Sequence, residues 1–146
     1  MIRRMEVSDI PSVADMEKMY FSVPWSEAGL LESLNMENYL FLVVEEAGEI
    51  AGYAGLSVIL DEGDITNIVI NERYRGRGLG RELLERLLEA GAGRGANAFT
   101  LEVRASNEAA IQLYKSMGFE EEGIRKGFYE KPKEDALIMW KREPEQ

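Results

Sequence analysis

Residues 64–88 read DITNIVINERYRGRGLGRELLERLL. Three kinds of chain meet here. Residues 64–70 are a β-branched run, the signature of a strand. Residues 73–81, RYRGRGLGR, hold four Arg, three Gly and no acid. After them Leu79, Leu83, Leu84, Leu87 and Leu88 repeat at helical spacing, with Glu82 and Arg86 placed to pair at i,i+4. The stretch is therefore strand, glycine-rich turn, helix. A helix N-terminus offers unpaired N–H groups and about half a positive charge, and glycines let an anion approach them closely. Charge, glycine and position agree on a phosphate-binding loop over a merely tight turn. It is not the Gly-Lys-Ser/Thr type, and Arg81 stands where a dinucleotide-binding pattern starting at Gly76 needs glycine.

Working outward, residues 40–46 and 49–60 read as two strands joined at Ala47-Gly48. Ser8 reads as a helix cap with Pro11 in the first turn, ahead of an apolar stripe of Ile10, Val13, Ala14 and Met16. Pro24 ends that segment, and Ser26-Glu27 with Leu30, Leu31 and Leu34 predicts a second short helix. On the other side, Gly91, Gly93 and Gly95 are expected to end the long helix. Residues 98–104 (AFTLEVR) form a strand. Asn107 opens a helix carrying Ile111, Tyr114 and Met117, which Gly118 stops. Residues 119–129 and 135–141 complete the set as strands. The predicted order is β-α-α-β-β-β-α-β-α-β-β, a three-layer α/β architecture with a mixed central sheet and helices on both faces. No repeat or linker divides the 146 residues, which are expected to form a single domain over 1–146.

Composition narrows the chemistry. The chain has no Cys and no His, which excludes a thiol nucleophile, a Ser-His-Asp triad and His- or Cys-ligated metal; no metal is expected. Acid–base work falls to carboxylates, Lys, Tyr or water. No run reaches the ~18 apolar residues of a membrane span, and the N-terminus lacks a signal-peptide core, so a soluble cytoplasmic protein is expected, without a membrane partner. The net charge is −10; setting aside the four Arg of 73–81 leaves −14 on the remainder. Such a chain repels nucleic acid, and four Arg make a spot for one ligand, not a stripe along a duplex.

Two further residues stand out. In AFTLEVR, alternation puts Phe99, Leu101 and Val103 on one face and Glu102 and Arg104 on the other. Glu102 is either a general base whose pKa burial would raise, or a residue at an exposed edge or in an ion pair with Arg104. Tyr114 is either a core aromatic or a phenol that reaches a reacting centre, and few other proton donors exist in this chain.

The chain resembles, over essentially its whole length, the GNAT superfamily of acetyl-CoA-dependent N-acetyltransferases. The R-x-x-G-x-G signature stands as Arg75-Gly76-Arg77-Gly78-Leu79-Gly80, and N-x-x-A-x-x-L-Y-x-x-x-G-F stands as Asn107 to Phe119. Within it the chain is similar to the RimI-type enzymes that acetylate the N-terminal alanine of a small-subunit ribosomal protein. That similarity rests on Val23-Pro24-Trp25-Ser26, Leu101–Asn107, Ile124–Tyr129, Glu134-Asp135-Ala136 and Met139. The family often has two tyrosines where this chain has Phe128-Tyr129, which leaves Tyr129 as the peptide contact.

The resemblance implies acetyl-CoA as cosubstrate, with Arg75, Gly76, Arg77, Gly78, Leu79, Gly80 and Arg81 holding its pyrophosphate. The backbone of Ile68, Val69 and Ile70 would pair with the pantetheine arm, and Asn107 would also touch CoA. It implies Glu102 as general base and Tyr114 as general acid. Trp25 and Tyr129 would contact a protein or peptide N-terminus, possibly that of a ribosomal protein, as the partner. Lys side chains or a small amine as acceptors, or acetyl-CoA binding without catalysis, are the alternatives. The oligomeric state is left open.

Overall fold

The computed structural model describes residues 1–21, 23–130 and 132–142. Its elements run β1 (Ile2–Arg4), α1 (Ile10–Tyr20), α2 (Glu27–Leu34), β2 (Tyr39–Glu46), β3 (Glu49–Ile59), β4 (Glu62–Ile70), α3 (Leu79–Gly93), β5 (Ala98–Arg104), α4 (Glu108–Ser116), β6 (Glu120–Tyr129) and β7 (Glu134–Arg142). The order is the one the sequence predicts. The seven strands form one sheet in the order β1-β2-β3-β4-β5-β7-β6, antiparallel except where β4 meets β5.

Both faces of the sheet are covered, which is why β2 reads as a continuous apolar run. Its Leu40, Leu42 and Val44 face a core with Leu83, Leu84 and Leu87 of α3 and Ile111 and Tyr114 of α4. Phe41 and Val43 face a second core with Val13 and Met16 of α1 and Leu30 of α2.

Helix starts follow side-chain caps, with one correction. Ser26 Oγ accepts the Gly29 N–H at 3.0 Å, and Asn107 Oδ1 accepts that of Ala110 at 3.3 Å. Ser8 is not a cap. Residues Val7–Asp9 form a 3-10 turn closed by a reciprocal Glu6–Asp9 box, and α1 begins behind it with Pro11 in its first turn. Asp9 also accepts two bonds from the Arg3 guanidinium, at 2.7 and 2.9 Å, tying the turn to β1.

The end of α3 also differs. Gly91 and Gly93 lie inside the helix, and Gly95 (φ +97°) is the left-handed residue after it. Gly91 is there for close approach. A Cβ on it would stand 2.6 Å from the Phe99 ring and 2.9 Å from Leu56. Two features of β4 build the site. Its parallel pairing with β5 covers Glu62–Asp64 against Ala98–Thr100 and then stops. Opposite β3, the register slips between Gly55↔Asn67 and Leu56↔Ile65, so Thr66 is an extra, bulged residue.

Candidate active site

Beyond Asp64 and Thr100 the two central strands separate, and the gap between them is a cleft of about 600 Å³. Residues 65–68 line one wall and 101–104 the other, with Tyr114 and Asn107 of α4, Trp25 ahead of α2, and Phe128 and Tyr129 at the end of β6. Glu102, Tyr114, Tyr129, Asn107, Trp25 and Ile68, far apart in sequence, thus share one cavity.

Glu102 sits as the alternation predicts, with Leu101 and Val103 buried on the opposite face. β5 lies between β4 and β7, but its pairing with β4 has ended at Thr100, so Glu102 stands on a local strand edge that faces the cleft and not the outside of the sheet. Its ion-pair partner is not Arg104 but Arg125 of β6, at 3.4 Å from Oε1. Arg104 instead pairs with Glu134 at 3.2 Å and donates to the carbonyls of Glu130 and Pro132, pinning the approach to β7. The other Glu102 oxygen, Oε2, is buried without a hydrogen-bond partner among the described residues. Desolvation raises the Glu102 pKa. Arg125 opposes this, and the neighbouring Asp64 carboxylate adds to it. An ionisable oxygen kept dry and unpartnered beside a cleft is suited to take a proton.

Tyr114 is almost wholly buried, and burial drives its phenol pKa well above the ordinary range, with a further contribution from Tyr129. It is therefore fully protonated near neutral pH, as a donor must be. Tyr129 is pushed up to about 12, by burial first and then by the Glu102 charge, and its ring lies 4.5 Å under the Arg104 guanidinium. Trp25 is set edge-on against Tyr39 and Phe41, at 6.2 and 6.0 Å.

The arginine–glycine loop lies past the end of β4, outside the residues that line the cleft. Gly76 (φ +81°) and Gly78 (φ +78°) are both left-handed, and a Cβ on either would meet nothing within 4 Å. The turn thus needs glycine for its backbone, and space lies open above both residues. Gly78 is the N-cap of α3, so the N–H groups of Leu79, Gly80 and Arg81 are those a helix leaves unsatisfied. Arg75 donates to the Ile70 carbonyl at 2.9 Å and stacks over Tyr20 at 5.0 Å; Arg81 donates to Ser116 at 2.7 Å; Arg77 lies over the Tyr74 ring. The fourth arginine of the island, Arg73, pairs with Glu49. Val69 and Ile70 lead into this loop, with the Val69 side chain buried in the α1/α2 core and Ile70 packed on the α3 side.

Asp64, Asn67, Arg125 and Glu17 were not among the expected site residues. Asp64 and Asn67 line the cleft. Glu17 is buried in α1, seven residues after Ile10 on the apolar stripe, and that spacing is the signal that would have found it.

Comparison with known proteins identifies the family. Residues 10–119 match the acetyltransferase (GNAT) family. The putative [ribosomal protein bS18]-alanine N-acetyltransferase of Bacillus subtilis is 40% identical over 140 residues, covering 95% of this chain and 93% of the relative. The [ribosomal protein bS18]-alanine N-acetyltransferase of Escherichia coli K12 is also 40% identical over 140 residues, 94% of each chain. A crystal structure of the ribosomal-protein-S18-alanine N-acetyltransferase from Escherichia coli superposes with a TM-score of 0.90 at 38% identity, over 100% of this chain and 95% of that one. The three-layer fold is accordingly that of an acetyltransferase, and the chain belongs to the GNAT family.

Proposed function

We propose that the chain transfers the acetyl group of acetyl-CoA to a protein N-terminal α-amine, and that the acceptor is the N-terminal alanine of a small-subunit ribosomal protein. The observation that carries the reaction is the unpartnered, buried Oε2 of Glu102 in the same cleft as the protonated Tyr114. The acceptor assignment draws on the names of relatives 40% identical over nearly the whole chain.

The residues present fit acetyl-CoA. The open space over Gly76 and Gly78, the N-terminus of α3 and Arg75, Arg77 and Arg81 would hold its pyrophosphate. The β4 backbone at Ile68–Ile70, where pairing with β5 has ended, has edge groups available to its pantetheine arm. Asn107, at the start of α4, lines the cleft between the two.

An amine attacks a thioester only when neutral. An α-amine has a pKa near 7.7–8.0 against about 10.4 for Lys, so an N-terminus needs the smaller shift. Glu102 takes the proton the attacking nitrogen loses, directly or through one water. A backbone N–H of Val69 or Ile70 meets the charge that builds on the carbonyl oxygen. As the carbon–sulfur bond breaks, the Tyr114 hydroxyl gives its proton to the sulfur. No acyl-enzyme is needed, and without Cys the chain forms no thioester of its own; transfer is direct, with both substrates bound. Trp25 and Tyr129 flank the entry for the peptide.

A thiol-release assay tests this reading. One acceptor is a short peptide with a free N-terminal alanine; the other is the same peptide blocked at its N-terminus and retaining an internal Lys. Release with the free peptide alone is expected. Equal rates with both would replace the N-terminal acceptor with an amine of the Lys type.

A further inference from the structure

Glu17 has 1% of its surface exposed, and the reaction above makes no use of it. A carboxylate is costly to bury unless it is hydrogen-bonded. Here Asn67 Nδ2 donates to Glu17 Oε1 at 2.6 Å and to Tyr53 Oη at 3.0 Å. The Tyr53 hydroxyl lies beside the same carboxylate, whose Oε2 is buried with no hydrogen-bond partner among the described residues.

This triangle fixes which way the Asn67 amide faces. The Glu17 oxygen it meets is an acceptor, so Asn67 must present its NH2 there. Both N–H groups are then used inside the protein. The carbonyl Oδ1 is the group Asn67 retains for the cleft it lines. The Thr66 bulge makes this placement possible. Ile65 and Ile68 both pack into the α3 core although three residues apart, which sets Asn67 on the opposite face with Tyr53. Glu102 is on that same face, across the seam, because Leu101 and Val103 belong to the α3 core.

We infer that Asn67 Oδ1 accepts an N–H of the acceptor amine in the cleft, with Glu17 as the positioning residue that keeps the amide turned that way. This rests on the acetyl transfer proposed above. A primary amine brings two N–H groups and a lone pair. The lone pair forms the bond to carbon, one proton leaves to Glu102, and the other N–H stays on Oδ1 and becomes the N–H of the product amide. An N-methylated amine has a single N–H, which must leave, and nothing remains for Asn67. The site therefore selects primary over secondary amines.

The test compares peptides beginning with alanine and with N-methylalanine on wild type, N67A and E17Q, with melting temperature and acetyl-CoA affinity measured in parallel. Wild type should prefer alanine. N67A should raise the KM for the alanine peptide about tenfold, the worth of one hydrogen bond, with acetyl-CoA affinity unchanged. It should also lose most of the preference, because it has no bond left to withhold from the methylated peptide. E17Q should do the same: Gln can offer its own NH2 to Oδ1, so the Asn67 amide is free to turn inward. If N67A does not fold, E17Q and the wild-type preference decide. An unchanged preference in a folded variant, or a fall in acetyl-CoA affinity that accounts for the whole defect, overturns the inference. A wild type that acetylates the N-methyl and alanine peptides equally overturns it too, while leaving the N-terminal reaction standing. A wild type active on no free N-terminus overturns both.

Discussion

Replacing Gly78 by Ala separates a phosphate cradle from a tight turn. Gly78 is left-handed at φ +78°, and an added Cβ meets no protein atom within 4 Å. The fold therefore bears only the conformational cost. A left-handed L-residue costs about 1–2 kcal/mol, offset by about 0.4–1 kcal/mol from a stiffer unfolded chain, for a net of about 1 kcal/mol. For a domain of this size that lowers Tm by roughly 2–4 °C. Ligand binding should suffer more. The new methyl occupies the space from which an anion would reach the first N–H groups of α3. Losing one hydrogen bond to a charged group, about 1.5–3 kcal/mol, raises the Kd for acetyl-CoA about 10- to 100-fold. Gly95→Ala is the matched control, because Gly95 has φ +97° and equally empty surroundings at the far end of the same helix. It should lower Tm by a similar amount and leave Kd alone. Differential scanning fluorimetry and isothermal titration calorimetry read the two quantities. A Gly78→Ala protein that shows the Tm loss but binds acetyl-CoA within twofold of wild type refutes the cradle.

Four more outcomes are expected. Glu102→Gln should lower kcat/KM by about 10²–10⁴ and flatten its acid limb. Because Glu102 acts as a base only when ionised and its pKa is raised, activity climbs with pH above the ordinary carboxylate range. Asp64→Asn, which removes a neighbouring negative charge, should move that limb to lower pH, and Arg125→Met to higher pH; shifts of the same sign would disprove the coupling. Tyr114→Phe should bind acetyl-CoA normally and turn over at least about 10-fold more slowly, and single-turnover rates equal to wild type would remove it as the acid. Asp9→Asn should destabilise the fold by about 1–3 kcal/mol at pH 7 through loss of the Arg3 pair. Arg3 holds the Asp9 pKa below its unfolded value, so this stability is present above that value and is lost as pH falls through the lowered one. Urea melts of the two proteins should therefore converge in acid.

The parts legible in the sequence are those that a local pattern decides. Alternation in AFTLEVR put Glu102 on the right face, and the leucine period drew α3. The parts that were not legible depend on partners distant in the chain. Nothing in DITNIVI tells where pairing with residues 98–104 stops, yet that stop makes the cleft. Thr66 carries no mark of a bulge, because the slip exists only against Gly55 and Leu56. Arg125 reaches Glu102 only because β7 lies between β5 and β6, and Arg73 joins Glu49 across from the first hairpin. Gly91 looked like a stop, but packing on Phe99 carries α3 through it and overrides the weak helix propensity of glycine; the helix ends at Gly93, which has no such contact.

The short β4/β5 pairing also bears on how the molecule opens. Three residue pairs join a hydrogen-bonded block of β1–β4 to a second block of β5–β7. The two blocks of this one sheet are stitched at one end and by α3, which packs on β2 and β3 and on Phe99. Amide exchange should therefore sort into two protected sets, divided by those alternate amides of residues 65–70 and 101–104 that face the seam and not β3 or β7. A ligand lying along that border would act as a fastener, slowing exchange in both sets at once.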